Sequence, residues 1–226
     1  MKNLIIDAFN MIHRSRFGQK GDHGTTYTFF RSLRSEVERH RPDRVFVVWE
    51  GRPVRRIAEN ADYKANRSPV LDDGFHRQKR DIRELCKLLP VTSVVHPEHE
   101  CDDVVAYIVR DMLPDDEHVV CSSDSDFIQL VNERVSLWNP IRKDFVQPQP
   151  NYVVWKALRG DKSDNVPGVR GVGDVTATKL ANDEQLLREF LESSDEKKRD
   201  FESSYRQILF EEVDPNGIQA QVSNYD

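Results

Sequence analysis

"HVVCSSDSDF", residues 118–127, runs from an apolar, β-branched stretch into two aspartates one residue apart and then into a fresh apolar turn. Its first half reads as a buried strand, so Asp124 and Asp126 stand where a strand has just ended. The chain repeats this arrangement. "NLIID" (3–7), "RVFVVWE" (44–50) and "VTSVVH" (91–96) are runs of the same kind, and "RVSLWNP" (134–140) extends the set. Between them, Tyr27, Phe30, Leu33 and Val37 recur at helical spacing, as do Ile82, Leu85 and Leu89, and then Val105, Ile108 and Met112. Strands alternating with helices predict an α/β fold with a central, mostly parallel sheet flanked by helices on both faces. Beyond about residue 150 the strand signal stops. "YVVWKALRG", "VTATKLA", "EQLLREFLES" and "DFESSYRQILFEE" predict short helices, with "SSDEKKRD" (193–200) as an exposed connection. The expected organisation is an α/β domain over 1–150 and a smaller helical part over 151–226.

Bulk composition narrows the function classes. No apolar run approaches the roughly 20 residues that a membrane helix needs, so no membrane partner is expected. "MKNLIID" is too short and ends too acidic for a secretory signal, which predicts a cytoplasmic protein. Cys86, Cys101 and Cys121 lack any CxxC spacing, so neither a disulfide framework nor a zinc site is indicated. The formal net charge of −6 argues against nucleic acid only on average. Residues 51–90 hold ten Lys and Arg against six Asp and Glu, which concentrates positive charge in one segment.

The acids are not scattered. Asp7 closes the first strand and Glu50 the second; Glu100, Asp102 and Asp103 follow the third, and Asp124 and Asp126 the fourth. In a parallel sheet these ends share one edge, where such folds place their ligands. Two carboxylates about 4 Å apart repel by about 4 kcal/mol at an effective dielectric of about 20, so the cluster calls for protons or cations. Oxygen donors without His or Cys suit Mg²⁺ or Mn²⁺. Each piece has a plainer reading, since acids at a helix start complement its dipole and Asp is a common N-cap. Their joint placement at four successive strand ends favours metal.

Two further stretches carry chemistry. "GDKSDNVPGVRGVG" (160–173) holds Asp161 and Asp164, then Gly168, Gly171 and Gly173 opening a helix near Val175. Glycines let backbone approach a phosphate, and helix-start amides point at it, although a tight interhelical turn explains the glycines equally well. "YKANR" (63–67) puts Lys64 and Arg67 in the basic segment, as a solvated face or as a grip on a scissile phosphate.

In order, "LIIDAFN", "YKANR", "ECDD", "SSDSDF" and "GDKSDNVPGVRGVG" resemble the 5′-nuclease (flap endonuclease) family, similar to phage 5′-to-3′ exonucleases and the nuclease domain of bacterial DNA polymerase I. The resemblance implies a PIN-like or Rossmann-like core with an arch region at about 51–90, and a helix-hairpin-helix (helix-3-turn-helix) at about 160–181. It implies two Mg²⁺ or Mn²⁺ ions on Asp7, Glu50, Glu100, Asp102, Asp103, Asp124, Asp126, Asp161 and Asp164. Lys64 and Arg67 would stand at the base of the arch, with Arg14 as a further phosphate contact. Tyr63, Lys64, Arg67, Gly168, Gly171, Gly173 and Thr176 would meet DNA, and backbone at Val169 and Val172 would hold K⁺. The implied partners are DNA with a 5′ flap, nick or 5′ end, an RNA–DNA hybrid, and a replicative polymerase, met by a monomer in a bacterial or phage-infected cell.

The chain also departs from the family pattern. Ala8 follows Asp7 where Gly is usual, Glu50 stands where Asp is usual, and Val175 stands where Lys is common. Only 62 residues follow Asp164, which predicts a weaker grip on the downstream duplex. Among rivals, a PIN-type ribonuclease shares the acid-edged sheet but has no need of the glycine hairpin. A haloacid-dehalogenase-like phosphatase expects an acid where Phe9 stands. A non-catalytic DNA-junction-binding module would not retain nine mutually repelling acids.

Overall fold

The structure is a computed structural model describing residues 1–65 and 73–222, so Arg67 lies outside the described residues. In chain order the strands are β1 (Lys2–Asp7), β2 (Arg44–Trp49), β3 (Thr92–Val95), β4 (Glu117–Cys121), β5 (Val135–Asn139), β6 (Asp144–Phe145) and β7 (Gln219–Val222). The helices are α1 (Ala8–Ser15), α2 (Gly24–His40), α3 (Val54–Glu59), α4 (Asp73–Cys86), α5 (Cys101–Tyr107), α6 (Tyr152–Arg159), α7 (Asp174–Ala181), α8 (Glu184–Glu192) and α9 (Asp195–Ile208). These elements form two compact units.

The first unit is built on a sheet of order β6-β5-β4-β1-β2-β3-β7 among the described residues. β1 to β5 pair in parallel; β6 and β7 add antiparallel edges. Leu4, Ile6, Val45, Val47, Val119 and Cys121 share a core with Met11 and Ile12 of α1, Phe29 and Leu33 of α2, and Ile82 and Cys86 of α4. Ile5, Phe46, Val48, Val94 and Val120 are equally buried, and α5 packs on β1, β2 and β3. Burial of both faces is why these strands read as unbroken apolar runs rather than alternating ones. Each fully buried Leu or Ile contributes about 1.5–3 kcal/mol, so the central strands anchor the unit. The chain steps from β1 outward to β3 and then returns to β4 on the other side of β1. That reversal opens a crevice at the C-terminal ends of β1 and β4.

The second unit contains α3 and α6 to α9. Leu158, Val169, Ala177 and Leu180 form one of its cores, and Tyr63, Ala157, Val166 and Ile208 another. Arg56 of α3 is 2% exposed; its Nη2 donates to the carbonyl of Leu209 at 3.2 Å and its Nε lies 3.8 Å from Glu211. Asn60 donates to Gln207 at 2.9 Å. These contacts draw α3 to α9, so the units do not follow a single cut at residue 150. The expected arch region is divided between them, and β7 returns to the sheet against β3.

One local expectation also changes. Residues 195–200 are helical, not a connection, because Asp195 and Glu196 in the first turn complement the helix dipole of α9. Helix α1 begins directly on Asp7, whose carboxylate caps it. No helix among the described residues is long and apolar enough to cross a membrane.

Candidate metal centre and phosphate-contacting groups

Parallel register brings the acids of the sheet unit to one edge. Asp7 pairs with Val48, two residues before Glu50, and Ile6 pairs with Cys121, just before Ser122 and Asp124. Ser122 Oγ donates to Asp7 Oδ2 at 2.8 Å, and the amide of Asn10 donates to Asp7 Oδ1 at 3.0 Å. Across the crevice, Asn10 Nδ2 donates to Ser123 Oγ at 2.8 Å, tying the start of α1 to the end of β4. Burial pushes the Asp7 carboxyl up to about 6, against the Asn10 and Ser122 hydrogen bonds, and the charge of Asp124 adds to the rise. Asp7 is thus harder to ionise than an ordinary carboxyl, and a bound cation would favour its charged form.

Cys101, the first residue of α5, is buried beside the acids. Its thiol is pushed well above the ordinary range, first by burial and then by the charges of Asp7, Glu50, Asp102 and Asp124. The buried thiol thus feels carboxylates from the ends of β1, β2 and β4 and from the start of α5. Its backbone N–H donates to Glu50 Oε2 at 3.1 Å, so the longer Glu side chain caps α5 from a neighbouring strand. Glu100, Asp102 and Asp103 each offer an oxygen within 4.8 Å of the others. The donor set is all oxygen, and the crowding suits a small hard dication.

The plainer readings hold at the same time. Glu100 and Asp103 form a capping box on α5, with the Glu100 amide donating to Asp103 Oδ2 at 3.2 Å. Asp124 accepts the Asp126 amide at 2.9 Å and starts a 3-10 turn, Ser125–Leu130. Capping fixes each carboxylate where the strand ends; it does not consume the oxygens.

Beside Glu50, a cavity of about 260 Å³ is lined by Phe9, Trp49, His76, Lys79, Arg80 and Arg83. Lys79 Nζ sits 4.6 Å from the centre of the Phe9 ring. Burial lowers its pKa, Glu50 raises it and Arg83 lowers it further. Sequence reasoning missed these α4 cations. Their signal was present: residues 76, 79, 80 and 83 share one helix face, flanking the buried stripe of Phe75, Gln78 and Ile82. Arg14 is half-buried, and its Nη1 has no hydrogen-bond partner among the described residues.

In the helical unit, Asp161 pairs with buried Lys156 at 2.6 Å, and its Oδ1 accepts the amide and hydroxyl of Ser163 at 2.7 and 2.6 Å. Burial would raise this carboxyl, but Lys156 and Ser163 outweigh it and hold it at about 2. Asp164 is 7% exposed, and Lys64 Nζ lies 3.7 Å from it. Lys64 adopts a left-handed φ of 55° and its amide donates to the Asp164 carbonyl at 3.1 Å. Tyr63, expected among the DNA contacts, is instead 7% exposed: its ring packs in the core, with Lys64 Nζ 5.0 Å from its centre. Gly168, also expected there, is buried against the backbone of Arg159 and Gly160. Gly171, Gly173 and Thr176 are exposed on the turn that opens α7.

A carboxylate-edged parallel sheet with a cationic cavity beside it suits metal-assisted chemistry on phosphate esters. Comparison with known proteins makes the class specific. Residues 2–157 match the 5′-3′ exonuclease N-terminal resolvase-like domain, and residues 147–221 match the 5′-3′ exonuclease C-terminal SAM fold. A 5′-3′ exonuclease of Aquifex aeolicus is 35% identical over 95% of this chain and 84% of its own length. The thermostable DNA polymerase I of Thermus thermophilus is 33% identical over 86% of this chain, which spans only 25% of that protein. The flap endonuclease of bacteriophage T5 has the same fold, with a TM-score of 0.74 at 20% identity over 92% of this chain and 88% of that one. The chain belongs to the 5′-3′ exonuclease family, and it is an enzyme, a hydrolase.

Proposed function

We propose that this enzyme cuts phosphodiester bonds beside 5′ ends, flaps and nicks in DNA, as flap endonuclease and 5′-to-3′ exonuclease, with two Mg²⁺ or Mn²⁺ ions. The observation that carries the reading is the parallel register that brings Asp7, Glu50 and Asp124 to one sheet edge, with the Glu100, Asp102 and Asp103 oxygens within 4.8 Å of one another at the start of α5. The ligands we assign are these six with Asp126, and Asp161 and Asp164 of the helical unit. Divalent ions there supply an activated water and offset charge on the leaving oxygen.

The chain's own groups do the rest. Ser122 and Asn10 fix both oxygens of Asp7, so its carboxylate is oriented before any ion arrives. Lys64, Arg67 and Arg14 offset charge on the scissile phosphate, where a placed cation is worth most. Lys79, Arg80 and Arg83 attract the backbone of a strand entering beside Glu50. Gly171, Gly173 and Thr176 present the start of α7 to duplex phosphates, and the Val169 and Val172 carbonyls are the K⁺ ligands of that turn. Such contacts read backbone and shape, not bases, so the RNA of an RNA–DNA hybrid is a further substrate. The T5 relative, described in a complex with DNA and metal ions, supports this reading, and alignment to DNA polymerase I supports work beside a polymerase.

Cleavage of end-labelled flap, nicked, blunt and single-stranded substrates, with Mg²⁺ and with EDTA, tests the proposal. Mg²⁺-dependent cutting near the junction of flap and nicked DNA is expected. Preference for unstructured RNA, or cutting in EDTA, would overturn it.

A further inference from the structure

The first turn of α2 is capped from another helix. His23, at its N-cap position, makes no side-chain cap hydrogen bond. Instead Gln78 of α4 reaches across, and its Oε1 accepts the amides of Thr25 at 2.9 Å and Thr26 at 3.2 Å. These are the second and third amides of the helix, the ones that an N-cap side chain ordinarily serves. Only the oxygen of the Gln78 amide can take both donors, which fixes how that group is turned. All three residues are buried, so losing the acceptor would strand both donors. The other buried residues on this face of α4 are apolar: Phe75, Ile82 and Cys86 enter the core shared with Phe29 and Leu33 of α2. Apolar burial is non-directional, so it holds α4 against α2 without fixing its rotation. The hydrogen-bonded Gln78 fixes it.

The cations beside Glu50 follow at once in sequence. Lys79 and Arg80 are the next two residues of α4, Arg83 lies one turn beyond Lys79, and all three line the cavity with Phe9, Trp49 and Glu50. We infer that Gln78 is a positioning residue for these cations, a peg that sets the rotation of α4 and so aims Lys79 and Arg83 at a DNA strand entering beside Glu50. This rests on the proposed meeting of the α4 cations with that strand. A turn of about 20° about the helix axis carries the helix surface, about 5–6 Å out, through roughly 2 Å. Lys79 Nζ lies 4.6 Å from the centre of the Phe9 ring and Arg83 Cζ 5.6 Å from that of Trp49. Cation–ring contacts weaken beyond about 6 Å, so a displacement of that size would release both cations from their present aim. A Gln78 that only stabilised α2 would respond differently once α2 was given a cap of its own.

The test measures Tm in EDTA, and KM and kcat for a 5′-flap substrate in Mg²⁺. Gln78→Met, which keeps the length of the side chain but not the acceptor, should lower Tm by about 2–4 °C, the scale for one lost helix cap. It should raise KM about fivefold with kcat within about twofold of wild type, the pattern for weakened uniform binding. Adding His23→Asp supplies a cap from within α2, so the double variant should regain Tm while KM stays raised. Lys79→Ala with Arg83→Ala should raise KM at least about tenfold, and Gln78→Met placed on that background should add less than about twofold. If Gln78→Met does not fold, Gln78→Asn, one methylene shorter, takes its place in every comparison. Return of KM to the wild-type value with His23→Asp would overturn the inference and leave Gln78 as a cap. A full fivefold loss in the background lacking Lys79 and Arg83 would overturn it as well, because Gln78 would then not act through them. An unchanged KM in the Lys79→Ala, Arg83→Ala protein would instead remove the role of the α4 cations on which the inference rests, with the metal centre untouched.

Discussion

The three glycines of the 168–173 turn should fail in three different ways when given a methyl group, and the backbone says how. Gly173 has φ −100° and ψ −178°, an extended conformation open to any residue, and an added Cβ would meet nothing within 4 Å. Gly173→Ala should therefore leave stability within about 0.5 kcal/mol of wild type. Gly171 also has open space around it but sits at φ 80°. A Cβ in the left-handed region costs about 1–2 kcal/mol, partly offset by about 0.4–1 kcal/mol from restricting the unfolded chain. Gly171→Ala should lose roughly 1 kcal/mol, or about 2–4 °C in Tm for a chain of this size. At Gly168 the same strain, at φ 70°, is joined by a Cβ only 2.4 Å from the Gly160 nitrogen and 2.6 Å from the Arg159 carbonyl carbon. Both atoms are backbone and cannot swing aside. With about 1–3 kcal/mol of overpacking added, Gly168→Ala should cost about 3 kcal/mol or more. Urea titrations followed by far-UV circular dichroism give the stabilities, and fluorescence anisotropy with a duplex oligonucleotide gives the affinities. Gly173→Ala should weaken duplex binding with stability intact, because its methyl group stands where a phosphate would meet the start of α7. If Gly173→Ala were as destabilised as Gly168→Ala, or Gly168→Ala were tolerated within about 0.5 kcal/mol, the division between packing glycine and contact glycine would be wrong.

Other outcomes follow from single residues. Arg56→Met removes the cation from a buried pair with Glu211 and should cost about 3–5 kcal/mol, much of it restored in the double variant with Glu211→Leu; melting curves of the three proteins check this. Asp124→Asn keeps the oxygen that caps the Asp126 amide, so the fold should survive while most Mg²⁺-dependent cleavage disappears. Because the Asp124 charge helps raise Asp7, the same variant should lower the Asp7 pKa from about 6, read by carboxyl NMR on the metal-free protein. Asp116 is held at about 2 by hydrogen bonds from the N-terminal amine and Asn3, with Arg44 adding to the effect. A depressed carboxyl contributes stability above its unfolded value of 3.8 and loses it as pH falls toward 2. The deficit of Asp116→Asn should accordingly be full at pH 6 and shrink steadily below pH 4, measured by urea unfolding.

Strands buried on both faces announced themselves. "NLIID", "RVFVVW" and "HVVC" are apolar throughout because no side faces water, and the structure starts and stops them within a residue or two of the sequence reading. The acids could be placed at one edge before any coordinates because parallel pairing aligns C-terminal ends. What escaped had no hydrophobic signal. β7 is Gln-Ala-Gln-Val with every residue exposed, and its place depends on pairing with the backbone of β3, which sequence pattern does not encode. Helix α1 escaped because it starts on the acid that closes β1, leaving no turn residue to mark a boundary. Tyr63 and Gly168 were read as DNA contacts from their motifs, yet both are buried: the motif positions them to support Lys64 and to close the turn. The pairing of Lys156 with Asp161 spans five residues, a separation with no local periodicity behind it, and required the turn at Gly160 to be seen.

Divalent ions should sit among the acids at the C-terminal edge of the sheet. Anomalous scattering from crystals of the metal-loaded protein, grown with Mn²⁺, gives the answer without reference to activity. A strong peak is predicted at the acid-lined sheet edge, about 2.0–2.3 Å from oxygens drawn from Asp7, Glu50, Glu100, Asp102, Asp103 and Asp124. Absence of any peak there at millimolar Mn²⁺, with those side chains keeping their capping bonds and nothing else, would reduce the cluster to helix caps and contradict the claim.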